Sequence, residues 1–392
     1  MPRIFLDGDP IEAAPGDTIA GALLRAGVTT FTRSIKYHRP RGPFCLAGSC
    51  GQCLMRVDGV PSLPACRVPA AEGMRCERQN APLGVDRDLF RASDFLFHQG
   101  LDHHHLLTGS RLLGRMALEI ARRLAGLGEL PATPRPPLEG ELRFVKHAIV
   151  GAGTAGLSAA RAIGAGALLL ERETRAGGAA LLFGQQLESD PGSAELMLEA
   201  DCVGLYVNDT TLPGNALLAV RHQDRVMALV AEHVIVTTGG VSQPLTFPGV
   251  DRPGVYAARG LLGLGAMVGR KLALVGEGEE SERCAAALGR RGYEIARAPG
   301  VPRRALGNPV KALDAADGTR IRCDAVAIAL PPAPLHELAS CAGAQAHFDG
   351  NGFPVQTDGE GRTSVPWLFA AGTVAGKPGA LSGEIAGRTA CH

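Results

Sequence analysis

The sequence predicts an α+β domain at the amino end, followed by an α/β module with two Rossmann-type units. Three observations carry this. Four cysteines fall within the glycine-rich residues 45–66, a strand–glycine–helix pattern occupies 147–170, and a second such pattern occupies 271–297. The 392 residues suffice for two or three domains, at roughly 100–200 residues each. A composition of 45% hydrophobic and 20% charged residues is that of an ordinary globular protein. A net charge of +1 gives no electrostatic case for nucleic acid or an anionic membrane. The 52 glycines and 17 aromatics (12 Phe, 4 Tyr, 1 Trp) suit folds whose backbone must approach phosphates closely. The opening MPRIFLDGDP lacks the apolar core of a signal peptide. Residues 147–170 are apolar, but Arg161 and the recurring glycines argue against a membrane span, so no transmembrane segment is expected. Ten cysteines without an export signal point to reduced thiols and metal ligation in a cytoplasmic protein.

Residues 1–84 are expected to form the first domain. Ile4–Leu6 reads as a strand, Asp7–Pro10 as a turn, and Pro15–Asp17 as a second turn before a short helix over Thr18–Ala26. A strand–turn–strand–helix start suits a ferredoxin-like β-grasp. Residues 85–140 read as a helical connector with a Pro-rich linker. Leu112, Leu113, Met116, Ile120 and Leu124 make one apolar face there, and PATPRPP at 131–137 is stiff. Residues 141–240 with 331–392 form the first nucleotide-binding domain, and 241–330 a second, degenerate one.

Cys45, Cys50 and Cys53 stand at C-x4-C-x2-C spacing, and Cys66 follows after twelve residues. That is the plant-type [2Fe–2S] pattern. Each iron is tetrahedral and shares two sulfides, so each needs two protein thiolates. Gly42, Gly48 and Gly51 let the loop curl around both irons. Leu54–Val57 followed by Asp58-Gly59 predicts a hairpin before the fourth ligand. A zinc site usually wants paired CxxC motifs, and only one occurs here. Cys76 is the rival for the fourth position.

His147–Val150 reads as a strand, Gly151-x-Gly153-x-x-Gly156 as a phosphate-binding turn, and Leu157–Ile163 as the helix it opens. A second strand, Ala167–Leu170, ends in Glu171, placed for a ribose hydroxyl. Only fourteen residues separate Gly156 from Glu171, so the helix is expected to be about one turn short. Gly177-Gly178 follows the acid.

These stretches carry a resemblance. Residues 147–392 resemble the two-dinucleotide-domain flavoproteins of the glutathione and thioredoxin reductase family. The match lies in the GxGxxG unit, Val236–Gly240 (VTTGG), Phe247–Gly249 with Arg252–Val255, and Val365–Gly372 (VPWLFAAG). Residues 31–80 resemble the α subunits of heteromeric amino-acid oxidases and dehydrogenases, a group that includes sarcosine oxidase, opine oxidase, hydroxyproline and proline dehydrogenases, and hydrogen cyanide synthase. The carrying motif is Arg33–Gly42 (RSIKYHRPRG), with Gly73-Met74 and Gln79-Asn80. The resemblance implies FAD held by Gly151, Gly153, Thr154, Ala155, Gly156, Glu171, Arg172, Gly178, Thr238, Gly239, Gly372 and Thr373. It implies a structural or cofactor-facing role for Arg33–Arg41, which composition alone would read as a solvated basic loop.

Departures from the pattern matter equally. Thr373 stands where the reductases carry an Asp for the flavin ribityl chain. Their redox CxxC is absent. Cys284, Cys323 and Cys341 are expected to be small buried hydrophobes. In the second unit, Lys271–Val275 and Tyr293–Arg297 read as strands. Gly276-x-Gly278-x-x-Ser281 between them carries Glu277, Glu279, Glu280 and Glu282, and these carboxylates oppose a pyrophosphate. The unit is therefore read as structural, or as holding a non-catalytic nucleotide. His103–His105 could bind metal, but three consecutive side chains cannot face one ion in regular structure. No residue set for C–H oxidation is legible.

The function expected is that of an electron-transfer subunit. It would pass electrons from a partner's flavin, through [2Fe–2S] and FAD, to an acceptor, in a hetero-oligomeric amino- or imino-acid dehydrogenase or oxidase. The implied partner is a β-subunit flavoprotein that oxidises the substrate, with room for a further small subunit and for an FMN at a subunit interface. The chain ends at His392, without the folate-binding extension of the sarcosine oxidase α subunit, so no coupling to tetrahydrofolate is expected. The alternatives are a self-contained NAD(P)H-dependent flavin/iron–sulfur reductase and a non-catalytic scaffold subunit.

Overall fold

A computed structural model describes residues 1–34, 39–79, 110, 112–116, 136–185 and 189–391. They fall into two compact units, Met1–Pro134 with Pro244–Leu330, and Arg135–Gln243 with Pro331–His392. The amino-terminal domain and the second nucleotide-binding segment thus share one unit.

In the first unit, strands Arg3–Leu6 and Asp9–Glu12 form a hairpin around Asp7 and Gly8, both at positive φ. Asp9 and Pro10, expected in the turn, lie in the second strand. Pro10 is tolerated because that strand is the sheet edge and needs no inward N–H there. The helix Ile19–Arg25 starts where the Thr18 hydroxyl accepts from Gly21 N–H at 3.2 Å. It buries Ile19, Leu23 and Leu24 on a five-stranded sheet. Parallel pairing of Phe5 and Leu6 with Arg75 and Cys76 closes a β-grasp, and the hairpin Leu54–Val57 to Val60–Pro64 flanks it. Asp58 and Gly59, at φ 47° and 79°, supply the two left-handed residues such a tight turn demands.

The rest of the first unit is a four-stranded parallel sheet, ordered Val255–Ala257, Ala325–Ile328, Lys271–Val275, Glu294–Ala298. The last strand starts one residue later than expected. The helix Gly278–Arg290 follows the glycine turn, and an antiparallel meander, Arg304–Gly307, Val310–Asp314 and Arg320–Arg322, completes it.

In the second unit the sheet runs Glu195–Met197, Ala167–Leu170, Glu139–Val150, Arg225–Val236, Ala216–His222, Ala200–Val207, with Leu368–Ala370 beside the end of Arg225–Val236. Glu139–Val150 is twelve residues long, not the four expected. Its first eight residues are mostly exposed and mix charges (Glu139, Glu141, Arg143, Lys146) with Leu142, Phe144 and Val145, so only the HAIV end is a continuous buried run. The helix Thr154–Ile163 starts three residues before the expected Leu157, because the glycine turn itself enters the first helical turn. It ends on Gly164 at φ 73°. The carboxy-terminal helix Ala380–Ala390 lies on it through glycines: a Cβ at Gly383 would sit 1.9 Å from Ala155 O, and one at Gly387 would sit 2.7 Å from Ala159 O.

Among the described residues no helix is long and apolar enough to cross a membrane. Residues 112–116 make a helical turn exposing Leu112, Leu113 and Met116. Ile120, Leu124, residues 131–135 of the linker stretch, His103–His105, Ile35–His38 and Asn80 lie outside the described residues.

Candidate functional site

The loop from Gly42 to Cys53 gathers the candidate cluster ligands. Leu46, Gly48 and Gly51 all take positive φ (52°, 81° and 64°), which winds the chain tightly. For Leu46 this conformation costs about 1–2 kcal/mol, which the surrounding contacts must offset. Ala47 and Ser49 N–H donate to Cys45 Sγ at 3.4 and 3.2 Å. Cys50 and Cys66 both lie within hydrogen-bond reach of Cys45, and Cys66 also reaches Cys53. Hydrogen bonds from Cys50 and Cys66 hold the Cys45 thiol far below the usual thiol range, with the Ser49 and Ala47 donors helping and burial opposing. Cys53 is lowered first by Cys66, while Cys50 and Cys66 are pushed up as donors to those thiolates. Crowded, mostly buried soft donors with N–H groups aimed at sulfur fit the chemistry of a [2Fe–2S] cluster. No three of the described His, Cys, Asp and Glu side chains converge as a site for one ion. A two-iron cluster instead spreads its four thiolates over two metals.

Cys76 sits apart. It is fully buried in the strand Arg75–Arg78, and burial, then Asp58 and Asp7, push its thiol up to about 11. It therefore belongs to the β-grasp core, and the structure brings Cys66 to the other three. All ten cysteines are free of disulfides. Cys284 and Cys323 are buried, as expected, and burial raises them to about 12 and about 11. Cys341 is exposed instead, at the end of the short helix Glu337–Cys341.

The first glycine unit forms a cradle at the carboxyl ends of parallel strands. Gly151 has φ 105°, and a Cβ there would meet Thr237 O at 2.6 Å. A Cβ on Gly156 would lie 1.8 Å from Gly151 O. Gly153 faces open space, and the helix it starts has no side-chain cap. Its first-turn N–H groups around Thr154 and Ala155 are donors of the kind a pyrophosphate takes. Gly178, at φ 53°, lies against Gly153, where a Cβ would come 3.0 Å from its Cα. Glu171 is buried beneath the turn and accepts from Ala152 and Glu173 N–H at 2.8 and 2.9 Å. Burial raises its carboxyl above the usual range, against those two hydrogen bonds. Gly239, Gly372 and Thr373 follow the neighbouring strand ends.

Two candidates are turned to other tasks. The Thr238 hydroxyl donates to Leu335 O at 2.7 Å, and Arg172 pairs with Glu173 at 3.3 Å. Three residues were missed. The buried Thr237 hydroxyl lies 2.7 Å from Gly151 O and 3.0 Å from Val150 O, tying the turn to the next strand. The Ser382 hydroxyl accepts from Gly372 N–H at 3.1 Å, and Lys377 N–H donates to Gly372 O at 3.0 Å. Thr237 is the first Thr of VTTGG, so its signal was present in the motif. Ser382 and Lys377 gave none. The cradle, its uncapped helix and the buried acid fit a dinucleotide such as FAD.

The second glycine unit is closed on itself. The Ser281 hydroxyl donates to Gly276 O at 2.9 Å. Glu277 accepts from Gly300 N–H at 2.8 Å, and Glu282 pairs with Arg297 at 2.7 Å. Glu280 is buried and takes a forked hydrogen bond from Arg259 at 2.6 and 2.9 Å. Its carboxylate also accepts from Cys284 Sγ at 3.4 Å, so it is held against the side of the helix, and the acids of the turn oppose a pyrophosphate by charge. Arg33, in the motif shared with the oxidase α subunits, is buried beside a two-residue strand pair with Pro40–Arg41.

Comparison with known proteins agrees with this arrangement. Residues 2–81 match the family model of the 2Fe-2S iron-sulfur cluster binding domain. The chain is 27% identical over 288 residues to sarcosine oxidase subunit alpha of Rhizobium meliloti, covering 64% of this chain and 29% of that protein. It is 35% identical over 77 residues to hydrogen cyanide synthase subunit HcnA of Pseudomonas aeruginosa, covering 20% of this chain and 73% of that protein. The solved structure of L-proline dehydrogenase from P. horikoshii superposes with a TM-score of 0.74 at 21% identity, over 99% of this chain and 72% of that one. The fold and site thus define an iron–sulfur domain fused to a two-dinucleotide flavoprotein module. Through its iron–sulfur domain the chain belongs to the family of hydrogen cyanide synthase subunit HcnA, and sarcosine oxidase subunit alpha is a more distant relative over a longer stretch. The chain spans less than a third of the length of the sarcosine oxidase subunit.

Proposed function

We propose that this chain is the electron-transfer subunit of a hetero-oligomeric, flavin-dependent amino- or imino-acid dehydrogenase or oxidase. The convergence of Cys45, Cys50, Cys53 and Cys66 in one loop region carries the reading. Those thiolates would hold the [2Fe–2S] cluster. Gly151, Gly153, Gly156, Glu171, Gly178, Gly239 and Gly372 would hold FAD. When bound, the two groups supply one- and two-electron redox chemistry. The chain's own residues bind, orient and insulate: Ala47 and Ser49 N–H fix Cys45, Thr237 fixes the glycine turn, and Glu171 faces the ribose position. Thr373 offers a hydroxyl where the related reductases carry a carboxylate. The domain boundaries of the sequence reading, a β-subunit flavoprotein as partner and CH–NH donors as substrates complete the proposal. The closed second glycine unit disfavours NAD(P)H as the electron source.

The test is coexpression. Alone, the chain should not reduce a dye with proline, hydroxyproline, sarcosine or an opine. With its β-type flavoprotein partner it should copurify, and the pair should be active. Amino-acid-dependent dye reduction by the isolated chain would refute the subunit reading.

A further inference from the structure

The carboxy-terminal part of the first unit touches the iron–sulfur loop directly. Ala257 N–H donates to Phe44 O at 2.9 Å. Phe44, Cys45 and Cys50 join one apolar cluster with Phe247, Val255 and Val275. Arg41 pairs with Asp251 at 3.2 Å, and Gly42 faces Pro253, where a Cβ would stand 3.3 Å from Pro253 Cα. The tightest contact is at Gly260, inside the helix Ala258–Gly263. A Cβ there would lie 2.4 Å from Cys45 O, 3.0 Å from Cys45 C and 3.1 Å from Leu46 Cβ. Alanine is the better helix former, so only the close approach of the loop gives glycine an advantage. The contact falls on Leu46, the residue held at φ 52°, a conformation that persists only where its surroundings enforce it. The preceding residue, Arg259, is tied by a forked hydrogen bond to Glu280 of the helix Gly278–Arg290.

We infer that Gly260 is a positioning residue for the iron–sulfur loop, and that the module carrying the second glycine unit serves as the seat that sets the Cys45 backbone. The inference rests on the reading of Cys45, Cys50, Cys53 and Cys66 as cluster ligands. It assigns the degenerate module a task in place of nucleotide binding: helix Ala258–Gly263 presses on one side of the loop while Arg259 and Glu280 brace that helix from the other. Gly260 does not touch the cluster, so its effect passes through Cys45 and Leu46.

The full chain is reconstituted with iron and sulfide and compared with Gly260→Ala, Gly260→Val and the control Gly289→Ala. Gly289 lies in the helix Gly278–Arg290 of the same module with nothing within 4 Å of a Cβ. The readouts are iron per chain, the visible circular dichroism of the cluster, its EPR line shape after reduction, and its rate of loss to a chelator. Gly260→Val should lose the cluster about tenfold faster, the scale set by one lost hydrogen bond with its packing, and should shift the EPR line shape. Gly260→Ala should move in the same direction by less, and it keeps the test readable if the valine variant does not fold. Gly289→Ala should raise the melting temperature and leave the cluster spectrum as in the wild type. A Gly260→Ala variant that behaves like Gly289→Ala overturns the inference while leaving the ligand reading intact. A wild-type chain that takes up no cluster overturns both.

Discussion

Cys45 accepts from two backbone N–H groups, which stabilise its thiolate before any metal is considered. Cys66 reaches that sulfur from the hairpin side, whereas Cys76 is shut in the β-grasp core. Replacing Cys50 or Cys66 by Ala should therefore abolish the rhombic EPR signal of the reduced cluster. Cys76→Ala should keep it and cost about 1–3 kcal/mol of stability, as for a buried side chain cut back. A retained signal in Cys66→Ala, with loss in Cys76→Ala, would exchange their roles. The candidate cysteines were legible because iron imposes a spacing. The burial of Cys76 in the sheet was not, because spacing alone does not say which of two cysteines the fold turns inward. For Thr238 and Arg172 the fold adds contacts that the motif did not announce: the Thr238 hydroxyl donates to Leu335 O, and Arg172 pairs with Glu173.

At the scale of elements, the Arg259–Glu280 pair ties the helix Ala258–Gly263 to the helix that follows the second glycine turn. The sequence announced four acids but not their partners, because Arg259 lies nineteen residues before Gly278 and meets the turn only through the fold. Glu280→Gln leaves a partly buried guanidinium with a neutral partner and should cost about 1–3 kcal/mol by denaturant unfolding. An unchanged midpoint would show the pair to be incidental. NADH should fail to reduce the chain at ordinary turnover rates, about 1–1000 per second. Stopped-flow reduction within that range would reopen the reductase reading.

In the second unit, His147 and His233 stand opposite each other on parallel strands, with ring centroids 5.6 Å apart. His147 Nε2 donates to Ala390 O at 3.0 Å, and both Nδ1 atoms are buried without a partner. Burial lowers both histidines, with Lys146 adding to the effect and Glu232 opposing it. The folded state then binds fewer protons than the unfolded chain below the ordinary histidine value of about 6.5, so stability falls as pH drops through that value. A His147→Asn/His233→Asn double variant should flatten this acid limb of the melting curve below about pH 6.5. A limb as steep as the wild type's would place the sensitivity elsewhere. Strand identities here were readable from apolar runs such as ALLL at 167–170. The extension of Glu139–Val150 was not, since the alternation Glu141-Leu142-Arg143-Phe144 is short and its apolar side chains stay exposed.

For the whole molecule, the order of modules was written in the sequence: cysteine loop, first glycine unit, second glycine unit, closing segment at 365–373. The joining of the amino-terminal domain with Pro244–Leu330 into one unit was not, because it depends on contacts between residues more than two hundred positions apart, such as Cys45 with Gly260. The account's central claim is that this chain relays electrons and depends on a partner for substrate oxidation. Anaerobic mixing most directly tests it: the isolated chain, loaded with iron–sulfur cluster and flavin, is given proline, hydroxyproline, sarcosine or an opine, with and without the partner flavoprotein, while cluster and flavin absorbance are followed. The account predicts bleaching only when the partner is present, for one of these donors. Bleaching of the isolated chain by any of them would contradict it.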